Sequence, residues 1–293
     1  MLAGGDGTRL SRLTRALYGF EVPKQFARIG DERSLLQRTL ERMAPIFPLR
    51  RTLVVAGRNH AFLARRQQQA HPGIDLVLQP RNLDTGPGLL FLLSRILVRD
   101  PDARVVSFPA DHHVRHAGPF LDAVEAAVGS SDRAPSGVAL LGVEPEEPET
   151  EYGWILPDGR LEPEGDSATR TVRGFIENPN RETAARLQRE GGLWNTFVSA
   201  GRGIAFWEPA QRYLPDQASA SPPTSNGREA AMIAPSFEAL YGRMQPANFS
   251  RSVLERAEGL AVQPVVGSGW RNWGSPDRVF RILAGTPALR RLL

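Results

Sequence analysis

The sequence predicts an α/β fold, a Rossmann-like, mostly parallel sheet flanked by helices, on three observations. Short apolar runs in the first half have the length and unbroken hydrophobicity of strands buried on both faces. Stretches with helix-spaced apolar positions lie between them, which gives a β-α-β-α order. A glycine-rich loop follows the first short strand and leads towards a helix, in the manner of doubly wound sheets that hold a ligand at their strand ends.

In chain order, Met1-Leu2-Ala3 forms the first strand and runs straight into Gly4-Gly5-Asp6-Gly7. An inner strand usually has about five or six residues, so either this strand is shortened or the start lies upstream. Ser34 to Met43 reads as a helix, Thr52 to Ala56 as a strand and Leu76 to Leu78 as the next. Gly88 to Val98 is helical, Val105 to Phe108 a strand, Pro119 to Val128 helical and Val138 to Val143 a strand. After about Pro145 the texture shifts to Pro, Glu and Gly turns broken by short aromatic strands, Trp154-Ile155-Leu156 and Val172 to Ile176. A polar stretch from Gln217 to Arg228, rich in Ser and Pro, reads as a surface loop. No internal repeat is visible.

Length and composition set the bounds. The 293 residues fit one α/β domain with loop insertions, and 41% hydrophobic with 23% charged residues is the balance of a chain that buries a core. Without cysteine there is neither a disulfide framework nor a thiolate site, and the cytoplasm is the expected compartment. No apolar run reaches about 18 residues, which argues against a membrane partner. A glycine loop stands where a signal peptide would have its apolar region. The sequence pI near 10.0 raises nucleic acid as a partner. The arginines are scattered, however, and 36 basic residues face 32 acidic ones, so no nucleic-acid partner is expected. Of those 36, Lys24 alone is lysine. An ammonium and a guanidinium are not interchangeable at a phosphate, so a single lysine in an arginine-rich chain marks a functional position.

Three motifs carry chemistry. In Gly4-Gly5-Asp6-Gly7-Thr8-Arg9-Leu10 the glycines let backbone N–H groups approach phosphate oxygens, and Arg9 adds a fixed fork. The spacing is neither that of the P-loop nor the dinucleotide G-x-G-x-x-G, and such a loop alone is as often a plain turn. Pro23-Lys24-Gln25-Phe26 follows about fifteen residues later, close enough for Lys24 to fold back over the same phosphates. Phe108-Pro109-Ala110-Asp111-His112-His113 lies at the carboxyl end of a strand, where Asp111 is a natural Mg²⁺ ligand. His112, His113 and His116 raise a transition-metal site, but no matched Glu or Cys partner accompanies them.

Together these pieces resemble the mannose-1-phosphate guanylyltransferase (GDP-mannose pyrophosphorylase) family of sugar nucleotidyltransferases. Beyond the LAGGDGTRL loop, PKQF and FPADHH, the resemblance runs through QPRN at Gln79 to Asn82 with Thr85-Gly86-Pro87, ETEYGWI from Glu149 to Ile155 and FIENP from Phe175 to Pro179. It continues through LWNTFV from Leu193 to Val198, NFS at Asn248 to Ser250, and GWRNWGSP from Gly269 to Pro276. It implies a nucleotide-diphospho-sugar transferase, or glycosyltransferase-A-like, fold in one domain over 1–293. Residues 1–145 would be mainly nucleotide-binding and 146–293 mainly sugar-phosphate-binding, without an added isomerase or β-helical domain. The implied partners are GTP and a sugar 1-phosphate, mannose 1-phosphate first, with Mg²⁺ as cofactor and the chain acting alone or as a homodimer. A phosphate oxygen of the sugar 1-phosphate would attack the α-phosphorus in line and release pyrophosphate. By similarity Leu2, Ala3, Gly4, Gly5, Gly7, Thr8 and Arg9 line the triphosphate, and Gln79, Arg81, Asn82 and Thr85 belong to the loop that recognises the base. Arg9, Lys24 and Asp111 form the catalytic set. Gly153, Glu177, Asn178 and Asn195 contact the sugar, and Asp111 with Asn272 holds the metal.

Two positions depart from the family's pattern. Asn178 stands where the family has a Lys on the sugar phosphate, and Asn272 where it has the second Asp ligand of Mg²⁺. Three outcomes are compatible with this. Arg173 or Arg271 supplies the lost cation in an active enzyme, the site serves another sugar 1-phosphate, or the chain is a regulatory homologue that binds nucleotide without turnover. Thymidylyl or uridylyl transfer would share loop and mechanism, and the PKQF, QPRN and PADHH wording favours the guanylyl branch.

Overall fold

The computed structural model describes residues 1–159, 169–219, 234–287 and 289. In chain order the strands are β1 (Leu2–Ala3), β2 (Leu53–Gly57), β3 (Asp75–Gln79), β4 (Arg104–Ser107), β5 (His112–His113), β6 (Val138–Val143), β7 (Gly153–Pro157), β8 (Arg170–Glu177), β9 (Leu193–Arg202), β10 (Ala261–Pro264) and β11 (Arg271–Asn272). The helices are α1 (Ser11–Tyr18), α2 (Leu35–Met43), α3 (Ala61–Ala70), α4 (Thr85–Arg99), α5 (Ala117–Ser131), α6 (Arg181–Arg189), α7 (Gly203–Tyr213), α8 (Pro215–Ser219), α9 (Ala234–Arg243), α10 (Phe249–Ser252) and α11 (Pro276–Leu283). They form two compact units. The first comprises residues 1–82, 109–117 and 269–293, and the second 83–108 and 118–268.

The first unit holds a parallel sheet in the order β1-β2-β3, with Leu2 beside Val55 and Gly57 beside Gln79. All five residues of β2 are buried, which is what an unbroken apolar run requires of an inner strand. The α2 helix starts where its capping residue allows. The Ser34 hydroxyl accepts from the Gln37 N–H, the Gln37 side chain accepts from the Ser34 N–H, and Leu35, Leu36, Leu40 and Met43 are buried. A two-stranded antiparallel ribbon, β5 with β11, brings Asn272 beside His112 and Arg271 beside His113.

The second unit is built on a six-stranded sheet in the order β4-β9-β6-β10-β8-β7. Its α4 is apolar on nearly every side from Gly86 to Leu93 and is buried, packing against α7 and α8. Here the architecture differs from the β-α-β-α reading. The runs at Val105 to Phe108 and Val138 to Val143 are strands, β4 and β6, but each pairs antiparallel with β9, which runs between them. Among the described residues, parallel pairing in this sheet is confined to β6 with β10. The buried inner strand β6 is uniformly apolar whichever way its neighbours run, and the short apolar run of the edge strand β4 is equally silent on direction. The stretch read as a surface loop also changes in part. Gln217 to Ser219 complete α8, and Gln217 is buried with its amide donating to the Gln245 carbonyl. Positions 220 to 228 lie outside the described residues. Among the described residues no helix is long and apolar enough to cross a membrane.

Candidate active site

The glycine loop of the first unit is held by side chains on both flanks. The Gln25 amide donates to the carbonyls of Ala3 (2.8 Å) and Gly5 (2.6 Å), and the Gln79 amide donates to Gly4 O at 3.3 Å. Asn82 Nδ2 reaches Asp6 Oδ2 at 3.0 Å. At Gly7 the chain takes a left-handed turn, φ +67°, into the short 3₁₀ turn that carries Thr8 and Arg9, both exposed. A Cβ on Gly7 would lie 2.6 Å from Lys24 N and 2.9 Å from Pro23 Cα, so only glycine lets the loop lie against the Pro23-Lys24 backbone. On the other side of β1, Ala110 N donates to Leu2 O at 3.0 Å, which ties the loop's strand to the segment that carries Asp111.

Lys24 Nζ meets Asp111 Oδ2 at 2.5 Å, both side chains mostly enclosed. Burial pushes the Asp111 carboxyl up. The Lys24 ammonium, the field of His112 and the hydrogen bond from Lys24 more than offset this and hold it below the usual carboxylate range. The β5–β11 ribbon pairs Asn272 with His112, the residue after Asp111, and Asn272 Oδ1 is buried without a hydrogen-bond partner. The histidines are engaged otherwise. His112 Nδ1 accepts from Trp270 Nε1 at 3.1 Å, and burial pushes its pKa down to about 4. His113 Nδ1 faces Arg38 Nη2 at 3.0 Å, and burial together with Arg38, Arg42, Arg271 and Arg115 also pushes it down to about 4.

The second unit brings Gly153, Glu177 and Asn195 together. Gly153 pairs with Glu177 across β7 and β8, and a Cβ on Gly153 would lie 2.5 Å from Glu177 Oε2 and 3.3 Å from Asn195 Cβ. Glu177 Oε2 and Asn195 Nδ2, an acceptor and a donor, are both buried without a hydrogen-bond partner, and only a glycine at 153 leaves Glu177 Oε2 its place. Glu177 N donates to Glu255 Oε1 at 2.6 Å. Burial raises the Glu177 carboxyl to about 7, Glu255 and Asp84 add to the rise, and Arg251 opposes it. Asn178 is exposed at φ +53°, a left-handed position that asparagine tolerates better than most residues.

The named nucleotide residues lie in the first unit except Thr85, which opens α4 in the second and accepts from Phe249 N at 2.9 Å through its hydroxyl. Arg173 does not stand in for a lysine at 178, because it is exposed and paired with Glu190 at 3.2 Å; Arg271 lies in the first unit, beside His113. Sequence reasoning missed the part played by Gln25, although it sits inside the PKQF motif. It also missed Asp84, Arg251 and Glu255, whose distance along the chain from Glu177 gave no signal.

A model of the nucleotidyl transferase family matches residues 1–281. The mannose-1-phosphate guanylyltransferase ManC of Salmonella typhimurium is 27% identical over 294 residues, 98% of this chain and 59% of its own. The xanthan biosynthesis protein XanB of Xanthomonas campestris pv. campestris is 28% identical over 280 residues, 94% of this chain and 57% of its own. The chain thus spans under three fifths of the length of these relatives. Among solved structures, one titled mannose-1-phosphate geranyltransferase from Thermus thermophilus is 30% identical with a TM-score of 0.80, covering 97% of this chain and 78% of that one. The UDP-glucose pyrophosphorylase from Acinetobacter baumanii shares the fold at 12% identity and a TM-score of 0.59, covering 97% and 90%. The architecture is that of the nucleotide-diphospho-sugar transferases. With the match running through both units, the chain belongs to the nucleotidyl transferase family.

Proposed function

We propose that this chain transfers a guanylyl group from GTP to mannose 1-phosphate, giving GDP-mannose and pyrophosphate. The observation that carries the reading is the Lys24–Asp111 pair beside the glycine loop, which joins a cation, an ionised carboxylate and close backbone approach in one unit. GTP and mannose are favoured by the names of the relatives. In the transfer a phosphate oxygen of the sugar 1-phosphate bonds to the α-phosphorus while the bond from that phosphorus to the β-phosphate bridging oxygen breaks, so both electrons leave with pyrophosphate. Lys24 and Arg9 balance the charge gathered on the phosphates, and the loop N–H groups position them. Glu177 and Asn195, each with an unpaired buried atom, suit sugar hydroxyls as acceptor and donor.

Asp111 and Asn272 offer a carboxylate and an unpartnered amide oxygen, hard donors that fit Mg²⁺ with phosphate oxygens and waters completing its shell. Bound there, Mg²⁺ would neutralise phosphate charge. A cysteine-free chain in this reading works in the cytoplasm, alone or as a homodimer.

The test follows pyrophosphate release with GTP, mannose 1-phosphate and Mg²⁺, with Asn272→Asp and Asn178→Lys variants in parallel. Release from the native chain is expected, and Asn272→Asp lowers the Mg²⁺ needed for half-maximal rate by about tenfold or more, as restoring a charged ligand should. A native chain that binds GTP yet stays silent, with turnover regained in the double variant, would support a second reading. That reading is a nucleotide-binding regulatory homologue, favoured by the two uncharged positions Asn178 and Asn272.

A further inference from the structure

The sugar-side residues of the second unit are strongly negative for a group meant to meet a phosphate. Glu255 and Asp84 both act on Glu177, and a sugar 1-phosphate adds nearly two more negative charges at neutral pH. A dianion approaches such a place only if a cation stands there. Asn178 is neutral, the chain's single lysine lies in the first unit, and Arg173 is turned to Glu190.

One cation of this unit acts on Glu177, and its backbone is fixed by its surroundings. The α10 helix packs on β8. Its start is pinned twice. Asn248 caps it by accepting from Arg251 N at 3.0 Å while its amide donates to Asp84 at 3.3 Å, and Phe249 N donates to Thr85 Oγ1 at 2.9 Å. The next turn, Leu254–Arg256, presents Glu255 to the Glu177 N–H at 2.6 Å. Arg251 lies on the short helix directly before the turn that carries Glu255, and its charge lowers the Glu177 carboxyl against the rise that burial and Glu255 cause. It is exposed, its charge acts on Glu177, and among the described residues its guanidinium makes no ion pair. A guanidinium held near carboxylates without being consumed by one is available to a phosphate, which it grips bidentately.

We propose that Arg251 binds the phosphate of the sugar 1-phosphate, filling the charge role that the neutral Asn178 cannot. The proposal rests on the reading of this unit as the sugar 1-phosphate site and adds the residue that makes it electrostatically workable.

Calorimetric titration of mannose 1-phosphate into the native chain, Arg251→Ala, Arg251→Lys and the double variant Arg251→Ala/Asn178→Lys tests it, with GTP affinity and thermal midpoint measured on each. Arg251→Ala should weaken mannose 1-phosphate about 10–100-fold and leave GTP affinity and melting unchanged, the loss of a charged hydrogen bond to the ligand. Arg251→Lys should keep part of the affinity, and the double variant should regain it by returning the charge from the other side. Unchanged affinity in Arg251→Ala overturns the proposal while the transferase reading stands. A loss that the lysine at 178 does not repair also overturns it, because Arg251 then serves only the fold. A native chain that binds GTP but not mannose 1-phosphate removes the sugar-site reading and this proposal together.

Discussion

A methyl group at Gly7 meets two obstacles at once, a left-handed backbone at φ +67° and Lys24 N at 2.6 Å. Gly7→Ala is therefore expected to cost about 1–3 kcal/mol of stability and to cut pyrophosphate release by about 10²-fold or more, read from denaturant midpoints and the release assay. At Asn178 the same backbone logic has the opposite bearing. With φ +53°, Asn178→Lys should lose about 1 kcal/mol in chemical denaturation, a local reason for asparagine at that place. Glu177, raised to about 7 first by burial and then by Glu255 and Asp84, gains its negative charge as pH passes upward through that value. The KM for sugar 1-phosphate should then climb above pH 7 while that for GTP does not, and Glu177→Gln should flatten the climb. A climb that persists in Glu177→Gln would belong to another group. Residue chemistry was the most legible part of the sequence. Lys24 stood out by composition alone and Asp111 by its place after a strand, whereas Arg251 and Glu255 reach Glu177 only through the folding of distant turns.

Among the elements, those specified by neighbours along the chain were readable and those specified by partners across it were not. The Ser34 capping box and the buried apolar face mark α2 from sequence alone, and Ser34→Ala should cost about 1 kcal/mol in thermal or urea unfolding. More than that would implicate the second contact of the hydroxyl, with Gln67 Oε1 at 2.6 Å. The strands β2, β3, β7 and β8 were read from short apolar or aromatic runs. The two-residue strands β5 and β11 are too short for any period to declare them, and it is their pairing that brings Asn272 to His112, the residue after Asp111. The antiparallel insertion of β9 between β4 and β6 was equally invisible, because direction is a property of a pair.

Across the whole molecule, opposing titrations shape its response to acid. His112 and His113 are held near pKa 4 in the fold against about 6.5 when unfolded, so between these values the unfolded chain binds more protons and stability is lost as pH falls. Glu177 acts in reverse. Its folded pKa of about 7 exceeds the unfolded 4.5, so the folded chain binds the extra proton and stability falls as pH rises through that interval. With two histidines against one glutamate, urea midpoints should drop from pH 6.5 to pH 4.5, and more steeply in Glu177→Gln, where the counterweight is gone. Midpoints that hold steady over that range in both proteins would contradict the buried, neutral state of the histidine pair.

The first unit is closed by segments that lie far apart in the chain. Its parallel sheet is encoded by residue 79, but β11, with Asn272, returns to β5 only after the entire second unit has been made. At roughly 5–20 residues per second, a ribosome takes about 15–50 s to supply that closing strand after starting the glycine loop. The nascent loop therefore waits beside an unfinished ribbon while β10 completes the sheet of the second unit, and β5 stays without its partner strand until that whole unit has been synthesised.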